Sequence, residues 1–407
     1  MKILHINNYV RHGGAETVFN ITRLNIYGAT NVSAFVKDSL ITEEPDINFK
    51  TWENENKIKG TIDYIFSYYN YKQLKIYLRN NDIDIIHLHG FFSALSPSIL
   101  KAIKEINRIK PIKVIQTLHD FHLICPNSSL YNFRTKQLCE KCIGTKFKYP
   151  ILIQNCERRG LIYSIIKAVR SFVSDNLLKH KFVVDHFICP SEFLKEKLIQ
   201  DGISPAKISV VRNPIKEIQI KIPISQKKNK ICYFGRFTRE KNLGFLINAF
   251  TKWKESIKND FELVLIGEGE EEEFLYNLKN KSSASDFIKI KRFMVGEQLI
   301  KEIEDAKYFC MSSSWYENAP MSVLEAAALN IIPIVPDLGG MKESVEKIIG
   351  CGKTYSPNEI DSWINAIEYL EQNYINEFNK LSVSRFIYEN NLDNYIKSLE
   401  KIYTQKS

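Results

Sequence analysis

Short apolar runs alternate with amphipathic stretches along this chain, the alternation stops once, and then it starts again. Runs at 2–7, 32–36, 84–88, 113–118, 186–189 and 208–211 read as strands. Most are too apolar to leave one face in water, which is the mark of parallel strands covered by helices on both sides. Stretches at 16–25, 71–80, 97–107 and 192–200 carry helical spacing between them. A βαβ series of this kind has few solutions other than a doubly wound sheet. The series breaks at 214–230, where Pro214 and Pro223 stand among Lys216, Lys221, Lys227, Lys228 and Lys230. The alternation of Ile218, Ile220, Ile222 and Ile224 allows a short edge strand there, and Pro223 argues against a central one. Strands then recur at 230–235, 262–267, 287–292, 308–312 and 331–335, with helices at 243–254, 272–280, 296–305, 320–329 and 340–346.

The expected fold class is therefore α/β: two Rossmann-like doubly wound domains facing a central cleft, with a helical C-terminal tail. The boundaries read as 1–213 for the first domain, 214–230 for a linker, 231–380 for the second domain and 381–407 for the tail. A length of 407 residues suits two domains. The chain is 44% hydrophobic and 25% charged, which excludes a disordered protein. No apolar run reaches the ~18 residues of a spanning helix, and the first apolar run is too short and too interrupted for a signal peptide. A cytoplasmic protein is expected. The net charge of +9 suits phosphorylated partners but is far too small to imply nucleic acid.

Open α/β sheets bind ligands beyond the carboxyl ends of their strands, so the loops there are where chemistry is expected. The first is Tyr9-Val10-Arg11-His12-Gly13-Gly14-Ala15-Glu16, which opens a helix. Gly13 and Gly14 let backbone N–H groups approach an anion at a helix N-terminus, although a plain tight turn fits equally well. Gly267-Glu268-Gly269, followed by four more glutamates, reads as a structural turn. Arg236 ends a strand and Lys241 precedes a helix, so a planar fork and a point charge can meet one diphosphate. The most informative loop runs from Ser313 to Ala326. Glu317 precedes a helix opened by Pro320, and Glu325 lies among Val323, Leu324, Ala326, Ala327 and Ala328. A carboxylate in such surroundings is expected to need a partner. Gly339 and Gly340 follow the next strand, and His119-Asp120 ends a first-domain strand on the cleft side.

Cys125, Cys139, Cys142 and Cys156 fall as C-x13-C-x2-C-x13-C within the insertion 125–156. They are compatible with a structural zinc, with unligated thiols or with a redox pair. Cys189, Cys232, Cys310 and Cys351 are dispersed and read as core fillers.

Taken in order, Gly13-Gly14-Ala15-Glu16, Thr117-Leu118-His119-Asp120, Cys189-Pro190-Ser191, Asn213-Pro214, Gly235-Arg236 with Lys241, Glu317-x7-Glu325 and Gly339-Gly340 resemble glycosyltransferase family 4 over most of the chain. The cysteine-rich segment is similar to that of some bacterial members. The resemblance implies a retaining, nucleotide-sugar-dependent hexosyltransferase of the GT-B fold that needs no cofactor for catalysis. Gly14 would face the donor diphosphate, with Gly13 beside it, and His119 the transferred sugar. Arg236 and Lys241 would hold the leaving diphosphate, Glu317 the donor sugar, Glu325 the ribose, and Gly339 and Gly340 the sugar or phosphate. Where many relatives carry Glu-x-Phe-Gly, this chain has Glu317-Asn318-Ala319-Pro320, which leaves the donor open. The implied partners are a UDP- or GDP-linked sugar and a glycan or lipid-linked acceptor. A nucleotide-sugar epimerase of the same fold, or a non-catalytic sugar-nucleotide-binding subunit, is the alternative.

Residues 140–181 carry a local charge excess, and 161–181 place Ile162, Ile165, Ile166, Val169 and Phe172 at helical spacing among Lys167, Arg170, Lys179 and Lys181. Such a helix suits an anionic membrane surface at the inner face of a membrane, or an ordinary core with a wet basic side.

Overall fold

The computed structural model of the protein describes residues 1–11, 13–37, 42–215, 222–257, 259–382 and 384–405. The alternation at Ile218 and Ile220 lies outside the described residues. The chain divides into two compact units, 1–213 with 393–407, and 214–392.

The first unit holds β1 (Lys2–Ile6), β2 (Thr30–Val36), β3 (Ile47–Phe49), β4 (Ile85–Leu88), β5 (Lys113–Thr117), the hairpin β6 (Tyr131–Asn132) and β7 (Gln137–Leu138), then β8 (His186–Cys189) and β9 (Ile208–Val210). Apart from the hairpin they form one parallel sheet in the order β3-β2-β1-β4-β5-β8-β9. Residues Ile3, Leu4, Ile86, Leu88, Val114 and Ile115 are fully or almost fully buried, as two-sided cover requires. Chain direction across the sheet reverses between β1 and β4, so their carboxyl ends open a crevice.

The second unit holds β10 (Lys228–Phe234), β11 (Glu262–Ile266), β12 (Ile288–Lys291), β13 (Ala306–Cys310), β14 (Ile332–Pro336) and β15 (Lys353–Tyr355). Their order is β12-β11-β10-β13-β14-β15, all parallel, which is the order of a Rossmann-type sheet. Its crevice lies between β10 and β13. β10 begins at Lys228, inside the stretch read as linker.

The expected helical tail is present, and its helix Leu392–Thr404 packs into the first unit. Its apolar stripe, Tyr395, Ile396, Leu399, Ile402 and Tyr403, is buried in the first unit. Fully burying one such side chain is worth roughly 1.5–3 kcal/mol. Polar contacts set its register: Tyr395 Oη bonds Thr22 Oγ1 at 2.6 Å, and Tyr403 Oη bonds His87 Nδ1 at 2.7 Å. The Lys113 ammonium donates to the Ile402 carbonyl at 2.6 Å, a cation at the negative end of a helix.

Candidate functional site

In the second unit, β10 ends at Phe234 and the chain turns through Gly235 to Arg236. This turn is clamped from behind. Gly267 sits where a Cβ would meet the Gly235 carbonyl oxygen at 1.9 Å, so only glycine lets the two loops lie together. Phe237 N–H donates to the Glu268 carbonyl at 2.8 Å, and Glu271 N–H to the Phe237 carbonyl at 3.0 Å. Gly267-x-Gly269 is thus the structural turn that its sequence suggested. Arg236 is exposed, and its guanidinium has no ion-pair partner among the described residues.

Lys241 ends a short 3-10 turn, and its backbone is fixed from β13's loop: Ser312 Oγ donates to the Lys241 carbonyl at 2.8 Å, and Ser314 N–H to the Glu240 carbonyl at 2.9 Å. The Lys241 ammonium meets Glu317 Oε1 at 2.6 Å, with both side chains largely buried. Ser313 Oγ and Trp315 Nε1 donate to the same oxygen, each at 3.0 Å. Burial pushes the Glu317 carboxyl up, but the Lys241 charge and these hydrogen bonds outweigh it and hold the group below its ordinary value. Glu317 therefore stays ionised, and its Oε2 has no hydrogen bond among the described residues. The two residues expected to touch different parts of one ligand are also each other's partner.

Gly340 supports this loop. Its N–H donates to the Glu317 carbonyl at 2.9 Å, and a Cβ on it would stand 1.8 Å from the Asn318 carbonyl oxygen. The close approach at Gly340 is thus to the loop's own backbone. Gly339 takes a left-handed φ of 48° just before it. Glu325 corrects the expected burial. Within the helix Met321–Ala328 it shares the outer face with Ser322 and is exposed, while Val323, Leu324, Ala326, Ala327 and Ala328 are buried. Crowding by protein still raises its carboxyl.

In the first unit, Gly13 precedes the helix Gly14–Asn25. Its φ of 174° is extended backbone open to any residue, and a Cβ there would meet only Glu16 Oε2, at 3.6 Å. Packing among the described residues does not demand a glycine at this point. His12 lies outside the described residues. At the end of β5, His119 faces a small pocket lined by Asn8, His89, Gly90, Gln116 and Asp120. Burial brings His119 down to about 4 against the opposing pull of Asp120, so its ring is neutral at ordinary pH. Asp120 is turned to His122, accepting from its N–H at 2.8 Å and lying 2.6 Å from its Nδ1.

Sequence reasoning missed what holds His119. His89 Nδ1 lies 3.1 Å from His119 Nε2, and the rings stack with centroids 5.4 Å apart. His87 precedes it, bonded through both nitrogens to Tyr403 Oη and Thr117 Oγ1, and His5 lies beside His87 on β1. Asn7 Oδ1 accepts from Gly90 N–H at 2.7 Å and Asn8 Oδ1 from Ala94 N–H at 3.0 Å, which pins the loop carrying His89. The available signal was the His-x-His alternation at the end of β4, which puts both rings on one face.

The basic helical stretch is inside out relative to a core-facing helix. In Leu161–Phe172 the exposed side chains include Leu161, Ile162, Ile165, Val169 and Phe172. Arg170 is buried, stacked 4.2 Å over Tyr64 and bonded to the Phe92 carbonyl, and Lys167 turns inward to Asn127 and Glu157. Beyond Phe172 the helix gives way to a π-turn and a short helix at His180–Val183. Exposed Phe147, Tyr149 and Ile153 from the cysteine-rich segment extend the apolar face, and Arg158, Arg159 and Lys179 are exposed beside it.

Two family descriptions match consecutive stretches of the chain: Glycosyltransferase Family 4 over residues 58–217 and Glycosyl transferases group 1 over residues 214–382. The chain is 30% identical over 164 residues to the uncharacterized glycosyltransferase YqgM of Bacillus subtilis, covering 38% of this chain and 43% of that one. It is 25% identical over 230 residues to a lipopolysaccharide 1,6-galactosyltransferase of Salmonella typhimurium, covering 53% and 62%. These matches thus span less than two thirds of either relative. The Anabaena HepE crystal structure in complex with UDP-glucose superposes with a TM-score of 0.67 over 99% of both chains at 15% identity. That likeness is one of fold, the GT-B arrangement of two Rossmann-like domains.

Proposed function

Because the chain belongs to the family 4 glycosyltransferases, we propose that it is a retaining enzyme that moves a sugar from a UDP- or GDP-linked donor to a glycan or lipid-linked acceptor in bacterial surface polysaccharide synthesis. The observation that carries this reading is the largely buried Lys241–Glu317 pair, in the same unit as Arg236, which follows the end of β10, is exposed and has no ion pair among the described residues. When the glycosidic bond to a nucleoside diphosphate breaks, negative charge grows on the phosphates. Arg236 and Lys241 meet it without moving far, because Lys241 is already aimed by Glu317 and by the clamp on its backbone. The reaction therefore takes its electrophilic assistance from the protein's own cations, with no metal required.

Glu317 Oε2 is left for a hydroxyl of the donor sugar, and exposed Glu325 for the ribose. In the first unit taken by itself, the N-terminus of Gly14–Asn25, opened by Gly13, offers backbone donors to an anion. Within the first unit, His119, neutral and with Nε2 engaged by His89, is the residue assigned to a sugar hydroxyl. The leaving phosphate takes the acceptor's proton on the face it departs from, which gives retention. The lipopolysaccharide relative supports a surface-glycan acceptor, and the UDP-glucose complex supports a UDP donor.

No helix among the described residues is long and apolar enough to cross a membrane. The outward apolar face of Leu161–Phe172, with Arg158, Arg159 and Lys179 at its border, instead suits peripheral docking on an anionic bilayer at the inner membrane face. A panel of nucleotide sugars tests the catalytic reading, scored for hydrolysis, for transfer and for protection against melting. One donor should protect and turn over, and Arg236→Ala should weaken nucleoside diphosphate binding by about 10–100-fold, the loss of one or two charge-assisted hydrogen bonds. Isomerisation of an intact nucleotide sugar in place of hydrolysis or transfer, or unchanged affinity in the variant, would overturn it.

A further inference from the structure

The turn after β5 carries His119-Asp120-Phe121-His122, and both carboxylate oxygens of Asp120 are spent on His122. Oδ1 accepts from the His122 backbone N–H at 2.8 Å, and Oδ2 lies 2.6 Å from its Nδ1. A carboxylate can only accept, so Nδ1 carries a proton and donates. In the neutral ring that leaves the lone pair on Nε2. His122 Nε2 has no hydrogen bond among the described residues, and it is not sealed in the core as the unpartnered nitrogens of His5 and His89 are.

The plane of the ring is fixed as well. His122 lies flat on Phe92, with centroids 5.3 Å apart and planes 7° from parallel. Phe92 is held in turn: its ring stacks on Phe91 at 4.5 Å, the Arg170 guanidinium stands 5.4 Å from its centroid, and Arg170 donates to its carbonyl at 3.0 Å. Phe91, Phe92 and Arg170 are all buried, so the support under His122 belongs to the core. His122 and His119 line the same recess of the first unit, about 30 Å³ in volume, which is room for a hydroxyl-sized group. Each of the two imidazoles has one nitrogen committed within the protein, His119 to His89 and His122 to Asp120, and one left over. A small recess that joins an apolar wall to fixed hydrogen-bonding nitrogens suits a hydroxyl carried on a sugar ring.

We propose that His122 is a second sugar-binding residue beside His119: its Nε2 accepts a hydrogen bond from a hydroxyl of the donor or acceptor sugar, and Asp120 acts through it as a positioning residue. The substrate class, a sugar, is that of the proposed transfer reaction, on which this assignment rests. The hydroxyl concerned is not the one that reacts, whose single proton goes to the leaving phosphate. Asp120 sets the direction of the contact. With asparagine in its place the amide oxygen stays with the His122 N–H and the amide NH2 faces Nδ1, so the ring proton moves to Nε2 and the acceptor becomes a donor.

The test uses the full-length protein, the donor found by the nucleotide-sugar panel, and methyl hexosides as probes. His122→Phe keeps a ring on Phe92 and removes the nitrogens; it should cut turnover about 10-fold, and His122→Gln, which restores a hydrogen-bonding group, should recover part of the loss. Asp120→Asn, nearly identical in shape, should cost about as much as His122→Phe, which a purely structural role would not produce. Nucleoside diphosphate affinity should not change in any of the three, because Arg236 and Lys241 lie in the other unit. Loss of both donor hydrolysis and transfer places the hydroxyl on the donor sugar, and loss of transfer alone places it on the acceptor. Ring-nitrogen NMR of the unliganded chain should show His122 protonated at Nδ1, and at Nε2 in Asp120→Asn; nucleotide sugars or methyl hexosides should then shift the His122 signals. Wild-type rates in His122→Phe, a glutamine variant no better than phenylalanine, or His122 signals that no sugar moves would each overturn the proposal. If no nucleotide sugar is turned over, the transfer reaction alone is refuted, and the response of the His122 signals to methyl hexosides still decides this site.

Discussion

Lowering the pH from about 7.5 to about 5.5 is expected to unfold the first unit while the second stays folded. All eight histidines of the chain lie in residues 1–213, and the second unit has none. Four of them, His5, His87, His89 and His180, are almost completely buried. Burial holds His5 down to about 4 and His180 to about 3, and His87 and His89 well below the ordinary imidazole value. Such a group binds its proton in the unfolded chain but not in the folded one at intermediate pH. The stability it contributes is present above about pH 6.5 and is lost as the pH falls toward the folded value. At about pH 5.5 each group forfeits about 1.4 kcal/mol, and four forfeit about 6 kcal/mol. That approaches the whole stability of an ordinary domain, about 5–15 kcal/mol. Hydrogen exchange followed by mass spectrometry resolves the two units. Protection should collapse in peptides of residues 1–213 and persist in 214–392. His180→Asn should flatten the pH dependence by the share of one such group, about 1.4 kcal/mol between about pH 7.5 and 5.5. Equal loss in both units, or an unchanged first unit at that pH, would refute the reasoning.

Three further outcomes are expected. Glu317→Gln should abolish most transfer while nucleoside diphosphate affinity, read by calorimetry, holds or rises, because Lys241 is released to the phosphates; the second unit should lose about 2 kcal/mol, less than a fully buried pair would. Gly340→Ala should destabilise the second unit by about 3 kcal/mol or more and remove activity, since its Cβ would overlap the Asn318 carbonyl; a normal denaturation midpoint would show that the Glu317 loop does not lean on it. Charge reversal at Arg158, Arg159 and Lys179 should weaken binding to anionic vesicles and reduce its salt dependence, with Lys167 and Arg170 left intact because they hold the helix in place; equal partition onto neutral and anionic vesicles would exclude the electrostatic part of the docking.

Much of the two sheets was legible because parallel strands under double cover must be apolar throughout, and β1, β8 and β13 carry that signal strongly. β3 and β15, three residues each at opposite sheet edges, carry too few positions for any period to emerge. The loop residues of the second unit could be named from their positions after strands. Their arrangement could not: nothing local says that Lys241 and Glu317, 76 residues apart, share one hydrogen bond. Glu325 misled because its neighbours in sequence are apolar, whereas its neighbours on the helix face, Met321 and Ser322, are not fully buried. The helix Leu161–Phe172 misled in the other direction. Periodicity reports that a helix has two faces but not which one the protein covers, and here buried Arg170 and Lys167 find Tyr64, Phe92 and Glu157.

The chain leaves the first unit at Asn213 and returns to it at Asp393. During synthesis, everything in 214–392 must therefore emerge from the ribosome before Tyr395 and Tyr403 can reach Thr22 and His87. The first half to be made is the last to be finished, with Leu4, Ile86 and their neighbours waiting on a final helix while the second sheet is already complete. A nascent chain halted anywhere before residue 393 should expose that unfinished surface to chaperones, and a frameshift just before codon 393 would damage the sheet made from the first 213 residues.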